Sequence, residues 1–116
     1  MSSSSTTSSS SSSPLLHIVC LRFKPELTEE RIIQHFKEEV ALTTRMPDLV
    51  ASFTFHKNVS LEDRADVNGG CQWVVMSKLF RAEDLKAYLC HPEHVAVGVI
   101  QNPMLLGKFV VDVEVQ

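Results

Sequence analysis

A chain of 116 residues, 44% hydrophobic and 22% charged, is ordinary globular material with room for one domain and one modest core. Its net charge of −3, with 11 scattered Lys and Arg, leaves no basic stripe for nucleic acid or for an anionic membrane surface. No apolar run approaches the roughly 20 residues that span a bilayer.

Residues 2–13 are ten Ser and two Thr. With nothing apolar to bury, residues 1–14 are expected to be a disordered tail ahead of a domain over 15–116. The tract has neither the basic nor the apolar region of a secretory signal, and it lacks the Arg of a transit peptide. Cys20, Cys71 and Cys90 have no C-x-x-C spacing and read as reduced thiols, which fits a cytoplasmic protein.

From Leu15 to Lys24 the chain alternates. His17, Val19, Leu21 and Phe23 share one face, while Leu16, Ile18, Cys20 and Arg22 share the other, as in a strand. Pro25 ends it. Thr28 can cap a helix whose first turn holds Glu29 and Glu30, and Ile32, Ile33, Phe36, Val40 and Thr43 form its apolar stripe. His35 is expected on the solvated side of that helix, which Met46-Pro47-Asp48 closes. Leu49 to Lys57 reads as a second strand, with Phe53 and Phe55 on one face and His56 in solvent. The polar stretch from Asn58 to Gly70, ending in Asn68-Gly69-Gly70, reads as an exposed hairpin loop.

Cys71 to Phe80 is the third strand, in which Cys71, Trp73, Val75, Ser77 and Leu79 oppose Gln72, Val74, Met76, Lys78 and Phe80. Ala82 to Cys90 is helical, with Leu85, Tyr88 and Leu89 apolar. After His91, Pro92 suits a first helical position because it has no N–H to lose, and Glu93 to about Gln101 is helical again. Gly107 to Val115 is the last strand, with Phe109, Val111, Val113 and Val115 on one face and Asp112 and Glu114 on the other.

The order β-α-β-β-α-β predicts an α+β, ferredoxin-like fold: a four-stranded antiparallel sheet with helices on one face. Helices can cover only that face, yet the first and third strands are apolar on both. Ile18, Cys20, Val74 and Met76 need another cover. A second copy set sheet against sheet supplies it, so a homodimer is expected.

The stretch Tyr88-Leu89-Cys90-His91-Pro92-Glu93-His94 gathers a phenol and two imidazoles where one helix stops and another starts. An imidazole near neutral pKa can take the acidic proton of a methylene between two carbonyls. A phenol or second imidazole can then hold the enolate oxygen. His94, Tyr88 and His17 supply these types, and such chemistry needs no metal and no organic cofactor; whether a metal ion sits near the dimer interface is left open. A bland reading stands beside this one. His94 then buttresses a helix start, His17 is a satisfied core or rim histidine, and Tyr88 packs with its hydroxyl at the edge. His91 is most simply a cap beside Pro92.

From about Leu15 to Val115 the chain resembles the stress-responsive A/B barrel group of dimeric α+β barrel proteins. The resemblance rests on Leu16-His17-Ile18-Val19 followed by Phe23-Lys24, on Tyr88 followed by His91-Pro92-Glu93-His94-Val95, and on Val111-Asp112. It implies a swapped-edge dimer whose two sheets form a barrel-like core, in a group most of whose members have no assigned activity. One expectation is a stress-associated dimer without catalysis, its interior a packed core or a store for a small apolar molecule. The chain is also similar to a plant polyketide cyclase of that group at His17, Tyr88 and His94. That likeness implies His94 as general base, Tyr88 holding the base or the substrate oxygen, and His17 polarising a carbonyl. Glu39 departs from the pattern: it falls where the cyclase has a pocket-lining tyrosine, and a carboxylate in an apolar cavity is unfavourable. A cofactor-free monooxygenase occurs on the same fold, and nothing in these residues selects it. Binding dimer and cyclase-like lyase differ on one observation, a solvent-connected cavity bordered by His94 and Tyr88.

Overall fold

The two most cleanly alternating segments lie side by side at the centre of the sheet. In the computed structural model, which describes residues 12–60 and 65–116, β1 (Leu15–Phe23) pairs antiparallel with β3 (Trp73–Leu79) from Leu15↔Leu79 to Leu21↔Trp73. β2 (Val50–Lys57) flanks β3, and β4 (Leu105–Glu114) flanks β1, so the strand order is β2-β3-β1-β4. The helices are α1 (Glu29–Thr43), the one-turn α2 (Ala65–Asn68), α3 (Leu85–Cys90) and α4 (Pro92–Gln101). This is the expected β-α-β-β-α-β arrangement.

Residues 1–11 of the Ser-rich segment lie outside the described residues, as do residues 61–64 of the expected hairpin loop. The described fold starts slightly before β1: Ala82 N–H donates to the Ser13 carbonyl and Val115 N–H to the Pro14 carbonyl, both at 2.8 Å. The loop carries α2 as well as its turn. Gly69 and Gly70 hold φ of 64° and 75°, a left-handed pair that side chains resist.

Thr28 caps α1, its Oγ1 accepting from Arg31 N–H at 3.1 Å, a contact worth about 1 kcal/mol. The inward stripe of α1 is rotated from the expected one. Ile32, His35 and Phe36 are its buried residues, and Ile33 and Val40 are only half-buried. His35, expected in solvent, is therefore 3% exposed. The spacing Ile32, His35, Phe36, Glu39 is i, i+3, i+4, i+7, and that is the face turned to the sheet. His56 is exposed as expected.

The core is in two parts. Leu21, Phe23, Ile32, Phe36, Trp73, Val75 and Met104 form one, in which Phe36 stacks on Phe55 at 5.0 Å and tilts against Trp73 at 5.4 Å. Leu15, Met46, Leu79 and Tyr88 form the other. Between them, on the same face of the same strands, stand His17, Val19 and Ser77.

Among the described residues the long helices leave the opposite face of the sheet uncovered, and only the one-turn α2 approaches it, Val67 and Asn68 bordering a hollow with Cys20, Val74 and Phe109. Leu16, Ile18, Cys20, Val74 and Met76 are half-buried there by their neighbours, and Phe109, Val111 and Val113 are exposed. The apolar face of β4 thus points away from the helices, and the face with Asp112 points towards them. Burial pushes the Cys20 thiol up to about 11, so at this face it is a small apolar filler. Among the described residues no helix is long and apolar enough to cross a membrane.

Candidate functional site

A break in the core makes the site. β3 presents Val75, Ser77 and Leu79 to the helices, and the fully buried Ser77 is too small to fill its place. The remaining void is a cavity of about 330 Å³ between the sheet and the helices. Val19, Leu21, Val75, Val97 and Val110 give it apolar walls, and His17, Tyr88, His94, Asp112 and Glu39 its main polar points.

The α3–α4 corner places two of these. His91 is extended at φ −63° and ψ 135°, and its Nδ1 accepts from Glu93 N–H at 3.1 Å, so it is the N-cap of α4 with Pro92 at the first helical position. Its own N–H donates to the Tyr88 carbonyl at 3.2 Å and closes α3. The corner sets Tyr88 and His94 with ring centroids 4.7 Å apart. His17, reaching up from β1, has its ring 5.5 Å from Tyr88 and 6.0 Å from His94. The three residues expected from the sequence therefore meet at one wall of the cavity, and His91 is a cap.

Two of the rings, His17 and Tyr88, have side-chain partners that the sequence did not assign to them. His17 Nδ1 lies 2.6 Å from Asp112 Oδ1, because the antiparallel register sets His17 opposite Asp112. The carboxylate accepts that proton and fixes the ring, leaving Nε2 for the cavity. Tyr88 Oη lies 2.9 Å from Ser77 Oγ. When Ser77 donates, the phenol proton is free for a ligand. Burial pushes the Tyr88 phenol up to about 12, against the opposing Ser77 contact, so the phenol stays protonated in ordinary conditions. Burial also lowers the pKa of His94, with His17 adding to the effect and a backbone bond at Leu89 opposing it. His94 is thus a neutral ring with an available lone pair at neutral pH.

Glu39 lines the same cavity. Gln101 Nε2 and His35 Nε2 meet at 3.0 Å, and Glu39 Oε1 is 3.9 Å from that His35 nitrogen, too far for a hydrogen bond. Among the described residues Glu39 Oε1 is the one buried side-chain polar atom without a partner. Burial raises this carboxyl to about 7, with Lys108 opposing. Among the described residues no group of three His, Cys, Asp or Glu is arranged to hold a metal ion.

One of these partners, Ser77, was legible. A lone Ser in the run Trp73, Val75, Ser77, Leu79 marks a gap in a buried face. Asp112 was harder, since alternation gives two faces of β4 but not which one meets the helices.

The family model for the stress responsive A/B barrel domain matches residues 15–115. No curated protein matches the chain. Among solved structures, a dimeric ferredoxin-like protein of unknown function from Thermobifida fusca is 23% identical, with 90% of this chain and 93% of that one covered and a TM-score of 0.72. An Arabidopsis thaliana protein is 24% identical over 88% of this chain and 95% of its own, with a TM-score of 0.77. The hydroxynitrile lyase of Passiflora edulis is 14% identical over 90% of this chain and 94% of its own, with a TM-score of 0.74. At these identities the likeness is one of fold.

Proposed function

The chain belongs to the stress responsive A/B barrel domain family, and on that premise we propose that its cavity binds a small, largely apolar carbonyl compound and moves a proton on it. The observation that carries this reading is the convergence of His17, Tyr88 and His94 on one wall of a cavity whose other walls are mainly apolar. Its volume of about 330 Å³ falls at the small end of the range for ligand sites, about 300–1,000 Å³.

His94 acts as the general base and takes a proton from the carbon beside the carbonyl. The electron pair moves onto the carbonyl oxygen, which the Tyr88 O–H and the His17 ring hold. Asp112 stabilises any proton that His17 acquires. The enolate carbon can then attack a second carbonyl of the same molecule, and the resulting alkoxide takes the proton back from the His94 imidazolium. One carbon–carbon bond forms and the proton count is unchanged. That sequence is the aldol closure of a linear poly-β-ketone; run backwards it is a carbon–carbon lyase. One relative in fold is by name a hydroxynitrile lyase, so this fold can carry a lyase.

The same proposal includes a homodimer. Phe109, Val111 and Val113 are 48%, 44% and 38% exposed on the sheet face away from the helices. A second copy would cover them, and the Thermobifida fusca protein of this fold is dimeric.

Titration of acetophenone into isotope-labelled protein tests the binding step. Shifts should centre on Val19, Ser77, Val97 and Gly98, and a Ser77→Leu variant that fills the void should lose them. Shifts scattered over the surface, or none at all, would overturn the reading.

A further inference from the structure

The cavity has polar groups that the proton-transfer reading does not use. Along the paired strands, His17 stands opposite Asp112 and Leu21 opposite Lys108. The cavity runs past both pairs, and four residues of strand separate them by about 13 Å. Glu39 and Gln101 border the cavity as well. A buried carboxyl oxygen without a partner is costly and is rare in folded proteins. His35, the nearest ring, cannot relieve it, because its Nε2 already faces Gln101.

We propose that Glu39 is a specificity-determining residue that takes a hydroxyl group of the ligand, so that the cavity selects hydroxylated aryl or alkyl carbonyl compounds over plain hydrocarbon-tailed ones. This inference rests on the small-molecule reading of the cavity. A hydroxyl suits Glu39 in either protonation state, since it can donate to a carboxylate and accept from a carboxylic acid. With its carboxyl raised to about 7, Glu39 populates both states near neutrality. An ammonium group fits less well, because Lys108 already brings positive charge to the same cavity. A methyl group offers the carboxyl no hydrogen bond in either protonation state. A site built around a hydrogen bond rejects the analogue that lacks it far more strongly than an apolar pocket discriminates by size.

The test compares 4-hydroxyacetophenone with 4-methylacetophenone, which differ by one group of similar size, for binding to the full chain. Wild type should favour the hydroxyl compound by at least about tenfold. Glu39→Leu should reverse the order, and Glu39→Gln, which can still donate and accept, should keep it. Glu39→Leu should also raise the melting temperature of the ligand-free protein, because it removes an unpartnered buried group. Equal binding of the two compounds by wild type, or an unchanged ratio in Glu39→Leu, would overturn the hydroxyl pole and leave the cavity reading intact. A lowered melting temperature in both variants would make Glu39 a structural group and sink the inference. Failure of both compounds to bind wild type would remove the small-molecule reading, and this inference with it.

Discussion

Glu39 holds its proton more tightly in the fold than in the unfolded chain. Its carboxyl goes from an ordinary 4.5 to about 7 on burial. Stability from this group is therefore full below pH 4.5 and is lost as pH rises through about 7. Relative to Glu39→Gln, wild type should lose up to about 3 kcal/mol across that window, read from denaturant unfolding at a series of pH values. A flat difference would contradict the burial of the carboxyl. His94 has the opposite sign. Its ring is depressed below 6.5, so its contribution is full above pH 6.5 and falls away below it. In activity, the acid limb of kcat/KM should lie below pH 6.5, because the base remains neutral until then. Ser77→Ala removes the partner of the buried Tyr88 hydroxyl and should cost about 1–3 kcal/mol in chemical unfolding.

The α3–α4 corner is the element on which the site depends. His91 caps α4 through its ring, so His91→Ala should lose about 1 kcal/mol of stability, in line with other side-chain caps. It should also lower turnover more than binding, since His94 sits in the first turn that the cap fixes. Asparagine at position 91 can accept the same N–H bond and should restore both properties; a variant with full turnover and no cap would separate His94 from the corner. The corner was readable because Pro92 marks a helix start wherever the chain leads up to it extended. Strands β1 and β3 were readable from period-two alternation. The rotation of α1 was not, because Ile33 and Val40 extend its apolar stripe past the face that packs. His35 was hidden by the same fact, because a polar residue on an inward face looks like a solvent position; Glu39 was placed at the pocket only through the family resemblance. Asp112 was hidden because β4 is apolar on the face away from the helices.

At the scale of the whole molecule, one side of the sheet makes the site and the other is left for a partner. Helices cover His17 and Ser77 while Phe109, Val111 and Val113 remain exposed. The two faces of β1 carried that division in the sequence, with His17, Val19 and Leu21 against Leu16, Ile18 and Cys20. A dimer at micromolar concentration is expected from sedimentation, and Val111→Lys should shift it towards monomer while leaving the α1 and α3 contacts in place. A wild-type monomer would contradict the account of this face.

The central claim is that a neutral His94 moves protons on a carbonyl ligand in the cavity. It is tested most directly by following deuterium from heavy water into the acetyl methyl group of 4-hydroxyacetophenone at neutral pH. Wild type should speed the exchange, and His94→Ala should lose about 10²–10⁴-fold of that acceleration while keeping its fold and its ligand. Exchange no faster than in buffer, or exchange that survives in His94→Ala, would contradict it.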